Sequence, residues 1–140
     1  MKLLSRFAGA GLLAASSLAL AADDATYQGL GGKDGLHKIV GDLVPMVLAD
    51  PRIKDSFTDI DMKHLAMRLE EQFCAVSGGP CTYQGKAMAD IHDGLNVTNA
   101  QFNALTEDLQ AAMERNGIPA RVQNKLLAKL APMQRTIVTK

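Results

Sequence analysis

From Lys33 to Ala49 the apolar residues Leu36, Ile39, Val40, Leu43, Val47 and Leu48 recur every three or four positions, the period of a helix with one apolar face. Pro45 falls inside this stretch. A proline there deletes one helical hydrogen bond and crowds the carbonyl four residues earlier, so a kink is expected near Gly41, and Pro51 marks a break. A second apolar face follows Asp61 and carries Met62, Leu65, Leu69, Phe73 and Val76. The Asp61 carboxylate can cap the free amides of the first turn, and Gly78-Gly79-Pro80 closes the helix. Thr98 with Gln101 three residues on is a capping-box signature for a third helix bearing Phe102, Leu105, Leu109 and Met113 and stopping at Asn116-Gly117. Pro119 opens a last helix whose face is Val122, Leu126, Leu127, Leu130, Met133 and Ile137. No period-two alternation and no internal repeat interrupts this pattern, so the chain is expected to be all-α.

Ahead of these helices, Lys2 and Arg6 precede an apolar run from Phe7 to Leu20, and Ala19-Leu20-Ala21 fits a small-x-small cleavage site. The run is shorter than the roughly 20 residues that a membrane span requires, which favours a cleaved signal peptide at 1–21 over a retained anchor. Residues 22–140 then form one domain with no stable membrane insertion, in a periplasmic or secreted chain. Removing the leader takes away Lys2 and Arg6 from a balance of 15 basic and 15 acidic residues, leaving 13 against 15. A net charge near −2 argues against a nucleic-acid partner. Hydrophobic residues make up 47% of the chain, but with four Phe, two Tyr and no Trp, aliphatic residues and seven Met must do most of the packing.

Cys74 and Cys81 flank the Gly78-Gly79 turn, which can fold the chain back far enough to bring their Cα atoms within disulfide reach of about 5.5 Å. Two separate thiols, with Cys74 packed inward as a small apolar residue, are the alternative.

The segment from Thr82 to Val97 is poorly helical, broken by glycines, and admits only a short helix around Met88 to His92. A four-helix up-and-down bundle, the plain alternative architecture, has no use for such a segment. A site that needs an imidazole held on a short element beside an apolar cavity does, and His92 is the candidate ligand. His37 lies near the start of the first long helix, and His64 sits one residue before Leu65, about 100° from that helix's apolar face, so both are expected on the surface.

The order Gly78-Gly79-Pro80, Tyr83-x-Gly85, Met88, His92-x-Gly94-Leu95, Thr98 and Phe102 resembles the proximal half of a group 1 truncated haemoglobin. Upstream, Tyr27-x-x-Leu30-Gly31-Gly32, the run Val47-Leu48-Ala49-Asp50-Pro51-Arg52 and Phe57 resemble that family in the same order, so the likeness spans about residues 27 to 138. It implies a truncated globin fold, a 2-on-2 helical sandwich around haem, with His92 as the proximal iron ligand. No Cys-x-x-Cys-His is present, so the cofactor is expected to be haem b held noncovalently.

Carried over position by position, the resemblance makes Phe57 the aromatic residue stacked on the haem face and Leu65 the gate on the distal helix. Tyr83 and Met88 then line the proximal and propionate side, with Val97 and Phe102 beneath the ring. The sequence departs from the family above the iron. Group 1 members usually place a tyrosine where this chain has Val44, and a glutamine where it has Leu69. Gln72, two turns past Leu65, is the one polar residue left nearby and turns its amide either into the cavity or to the periphery. Arg68 faces the haem edge or solvent and can pair with a propionate.

The function so implied is the binding of diatomic gases (oxygen, nitric oxide, carbon monoxide) at a five-coordinate iron beneath an apolar distal side. The family implies oxygen binding and extends to nitric oxide dioxygenation, which would require an electron donor that this chain does not contain. Two readings from other classes compete. One is an electron-transfer or peroxidase-like haem protein with a second axial ligand from His64, Met46 or Met67. The other is a haem-free helical interaction module.

Overall fold

The computed structural model describes residues 23–140, and the signal peptide expected at 1–21 lies outside them. Among the described residues seven α-helices follow one another: α1 (Ala25–Gly29), α2 (Gly32–Ala49), α3 (Met62–Val76), α4 (Met88–Ile91), α5 (Asn99–Arg115), α6 (Ala120–Leu130) and α7 (Gln134–Ile137). Short 3-10 turns occupy Lys54–Phe57 and Ala131–Met133. Among the described residues there is no strand, only an isolated bridge between Val97 and Val138. The all-α expectation holds, and the rival up-and-down bundle does not. The helices form two packed pairs, α2 with α3 and α5 with α6, joined by contacts of α2 on α5 and of α3 on α6.

α2 is the central rod. Leu36, Ile39, Val40, Leu43 and Val47 are all buried along its inner stripe, each such side chain contributing about 1.5 to 3 kcal/mol of hydrophobic stabilisation. It starts where Gly31 and Gly32 both take positive φ, of 89° and 64°, a tight turn from α1 that residues with a Cβ rarely make. The helix runs unbroken past Pro45. Gly41 and Pro45 are both exposed, so water can satisfy the Gly41 carbonyl that the proline cannot, while buried residues on either side hold the rod in place.

The predicted single last helix is corrected: it breaks into α6, a 3-10 turn and α7 at Pro132. Pro132 has no amide to give to the carbonyl of Ala128. Beyond it only Ile137 is buried, too little packing to hold the helix straight. The caps form as expected. Asp61 accepts from the amides of Lys63 and His64, and Thr98 and Gln101 make a reciprocal capping box.

A polar cluster that the sequence does not announce locks the end of α2. The Asp50 carboxylate accepts from the Arg52 amide and guanidinium, and Arg52 reaches on to Glu107. Those contacts hold the Asp50 carboxyl down at about 2. Asp108 faces the same carboxylate from α5, and burial together with the Asp50 charge pushes its carboxyl up. As carboxylates neither can donate to the other, which leaves Asp108 Oδ2 buried without a partner.

The two acids therefore act in opposite senses. Asp50 contributes stability that is present above its unfolded pKa and is lost as pH falls toward about 2. Asp108, with its pKa raised, is favourable while protonated and costs stability as pH rises through its folded value. Asp108→Asn supplies a neutral donor, and is expected to stabilise the fold by about 1 kcal/mol at pH 7. Urea unfolding at pH 7 and pH 4 checks this, with the gain shrinking at the lower pH.

Candidate functional site

One cavity of about 910 Å³ lies between the faces of α2 and α3 on one side and α4 and α5 on the other, closed at one end by Leu130, Met133 and Ile137. The residues that the resemblance assigned to the haem pocket all line it: Val44 from α2, Phe57 from the 3-10 turn, Leu65, Arg68, Leu69 and Gln72 from α3, and Tyr83, Met88, His92, Val97 and Phe102 from the second half of the chain. The walls are mostly apolar. At the rim, Ile60, Ile91 and Leu95 remain among the most exposed large hydrophobic side chains of the described residues.

His92 caps the one-turn helix α4. Its amide donates to the Met88 carbonyl at 3.1 Å, and Nδ1 of the ring approaches the same oxygen at 2.8 Å. A carbonyl only accepts, so Nδ1 carries the proton and donates. Nε2 is thereby left as the unprotonated nitrogen, the form and the second-shell bond that a metal-ligating imidazole uses. Beyond it the chain turns through Gly94 and Asn96, which is the one non-glycine residue of positive φ among those described.

The upper wall offers no hydrogen-bond donor from Val44, Leu65 or Leu69. Gln72 is buried, and its amide is inside rather than at the periphery. Nε2 lies 3.4 Å from Met88 Sδ and 3.5 Å from Met133 Sδ. Thioether sulfur only accepts, so the amide nitrogen is occupied and what Gln72 has left is an acceptor. Arg68 is half-buried and pairs with Glu71 at 2.8 Å. That guanidinium, together with the Gln84 amide, holds the Glu71 carboxyl below its usual range. The Tyr83 hydroxyl donates to the Lys86 carbonyl, and its ring packs so closely on Gly85 that a Cβ there would stand 2.1 Å from the hydroxyl oxygen.

One placement is corrected. His64 was expected away from the cavity, yet it lines the mouth. The 100° offset on an ideal helix is real, but α3 begins at Met62, so its first turn forms the rim and several of its sides face the opening. Met46 and Met67, the other proposed second ligands, are not on the cavity wall, whereas His37 is exposed and bonds to Glu70 as a surface residue. Sequence reasoning also missed Lys86 at the mouth and Leu130 and Met133 at the closed end. The last two were visible only as the apolar face of a helix.

These features fit haem. The cavity is of cofactor size and largely apolar, His92 presents a ring nitrogen while its other nitrogen is already fixed, and the basic side chains of His64, Arg68 and Lys86 line the opening, where they could meet the carboxylates of an amphipathic ring.

An all-α sandwich around a cavity with a histidine so held defines a globin of the shortened type. The chain belongs to the bacterial-like globin family, matched over residues 25–139, and within it to the group 1 truncated haemoglobins. The group 1 truncated haemoglobin of Tetrahymena thermophila is 35% identical over 96 residues, covering 69% of this chain and 79% of that one. A second relative, group 1 truncated haemoglobin GlbN of Mycolicibacterium paratuberculosis, is 31% identical over 113 residues, 81% of this chain and 83% of that one. Among solved structures, truncated haemoglobin from Tetrahymena pyriformis in its Fe(III) form aligns with a TM-score of 0.79 and 30% identity, covering 82% of this chain and 98% of that one. The family consists of haem proteins that bind small gases.

Proposed function

We propose that this protein is a noncovalent haem b globin that binds diatomic gases at a five-coordinate ferrous iron, with selectivity set by an apolar distal wall. When bound, haem supplies the metal and its open coordination position. The observation that carries the reading is His92, whose Nδ1 is spent on the Met88 carbonyl while the ring lines the large cavity. The Met88 carbonyl fixes the ring's tautomer and orientation. Val97 and Phe102 would support the proximal side of the bound group, and Phe57 would pack against it. Lys86, which pairs with no acid among the described residues, and the free N–H groups of Arg68 would hold the propionates.

Val44, Leu65 and Leu69 make the opposite face water-poor and donor-free. Oxygen gains negative charge on binding and is retained by a donor, whereas carbon monoxide and nitric oxide form nearly neutral adducts and lose little without one. The protein is therefore suited to nitric oxide and carbon monoxide over stable oxygen carriage. Any nitric oxide dioxygenation draws electrons from a separate donor. A periplasmic or secreted location follows from the leader-like first 21 residues, and detection of a mature chain starting near Ala22 tests it.

A second reading rests on His64 at the cavity mouth: a six-coordinate, electron-transferring or peroxidase-like protein. Optical and electron paramagnetic spectra separate the two. A five-coordinate ferrous spectrum and high-spin ferric iron are expected, unchanged in His64→Ala. A low-spin spectrum that His64→Ala converts to high spin would replace the first reading with the second.

A further inference from the structure

The Cys74–Cys81 disulfide is present, with Cα atoms 5.8 Å apart. Its two halves sit in unlike surroundings. Cys74, on α3, is 3% exposed, and the backbone of Gly79 lies so close that an added Cβ would stand 2.6 Å from its sulfur and from the Tyr27 ring. The Gly79 amide also donates to the Cys74 carbonyl at 2.9 Å. Cys81 is exposed and begins the irregular segment that leads to α4. A recess of about 370 Å³, walled by the disulfide with Tyr27, Leu36, Met67 and Pro80, opens beside the bridge.

That segment is part of the cavity wall, since Tyr83, Gln84, Gly85 and Lys86 all line it. Among the described residues, Pro80–Lys86 makes one hydrogen bond to the rest of the protein, from the Gln84 amide to Glu71 Oε2 at 3.1 Å; the Tyr83 bond to the Lys86 carbonyl is internal. The wall therefore has two anchors on α3, the disulfide and Glu71.

We propose that the disulfide is a redox-addressable latch on this wall, opened by a dithiol reductant that attacks at Cys81. A thiolate of the reductant bonds to Cys81 Sγ, the S–S bond breaks, and the electron pair leaves on Cys74 Sγ, which takes up a proton. The reductant's second thiol then displaces Cys81, so the dithiol ends as a disulfide and both cysteines end as thiols. A monothiol needs a second molecule to complete the step, and meets competition from the neighbouring cysteine. Cys74 is held beside Cys81 by Gly79 and Tyr27, and attacks the mixed disulfide to restore the bridge. Once the bridge is open, Cys74 stays in place and the Cys81–Lys86 wall hangs on Glu71 alone.

Hydrogen exchange of the Gln84 amide, the one amide of this segment with an acceptor, measured on the purified protein before and after dithiothreitol with reduction verified by alkylated mass, tests the latch. Exchange there is expected to rise roughly 10-fold or more, with amides of α2 and α5 little changed, because only the local opening is freed. Cys81→Ser should show the fast exchange without reductant and no further response, and Glu71→Gln should add to the effect only when the bridge is open. Exchange unaltered by verified reduction, an equal rise across α2 and α5, or a Cys81→Ser chain matching the oxidised protein would each overturn the proposal. On the haem reading, transfer of haem to a scavenging globin should also quicken on reduction, and equal transfer in both redox states would refute the link to the cavity. Failure of the haem reading itself shows separately, as a chain without a Soret band, and the latch is still decided by the exchange rates.

Discussion

The His92→Ala protein is expected to fold and to lose its hold on haem. Loss of an outer-shell partner alone typically weakens metal affinity 10- to 100-fold, so loss of the ligand itself should speed haem dissociation by roughly 100-fold or more. The fold should tolerate it, because His92 is only half-buried and none of the core residues depends on its ring. Soret absorbance after haem titration, read beside far-ultraviolet circular dichroism, measures both parts. His37→Ala serves as control: that ring lies outside the cavity and bonds to Glu70, so its removal should leave haem content unchanged. Restoration of the ligated spectrum by added imidazole would confirm that the lost group is a nitrogen donor rather than a structural prop. A full and unshifted Soret band in His92→Ala would sink the assignment.

The second large effect concerns the distal wall. Val44 lines the cavity from α2, opposite the segment that carries His92. Val44→Tyr places a phenol on a face that has no donor, and one new hydrogen bond worth about 1.4 kcal/mol should slow oxygen dissociation roughly 10-fold. Carbon monoxide dissociation should change far less. Gln72→Leu is the informative contrast: its amide nitrogen faces the sulfurs of Met88 and Met133, so the native protein gains no ligand donor from it, and oxygen kinetics in that variant should move by less than about 2-fold. Stopped-flow measurement of both gases decides the matter. Unaltered oxygen kinetics in a correctly folded, haem-replete Val44→Tyr protein would remove Val44 from the ligand's surroundings.

Most helices were legible in the chain because each carries its own signal. α3 and α5 combine an apolar stripe with a capping residue, and both begin within a residue of where Asp61 and Thr98 place them. α1 escaped because one turn is too short for a period to register, and the turn at Lys54–Phe57 for the same reason. The break at Pro132 and the continuity through Pro45 carry the same local signal. They differ only in the packing beyond the proline, which a linear reading does not contain. The candidate cavity residues were traceable because resemblance fixed their register, whereas His64 and Lys86 were invisible as rim residues until the width of the opening was known. The cluster of Asp50, Arg52, Glu107 and Asp108 joins segments far apart in sequence and has no local mark at all.

Val97 has a further significance. Its carbonyl accepts from the amides of Thr139 and Lys140 at 3.0 and 3.3 Å, and the bridge to Val138 lies beside it. The cavity wall that Val97 shares with His92 is thus completed by residues far along the chain from the histidine. Pairing so distant in sequence forms late, because the chain between must first give up its freedom. During folding the earlier helices can pack while the proximal side stays ajar, so a folding chain offers an entrance wider than the one in the finished molecule. On the haem reading, the docking of Thr139 would then set how long the cofactor could enter through the wider opening.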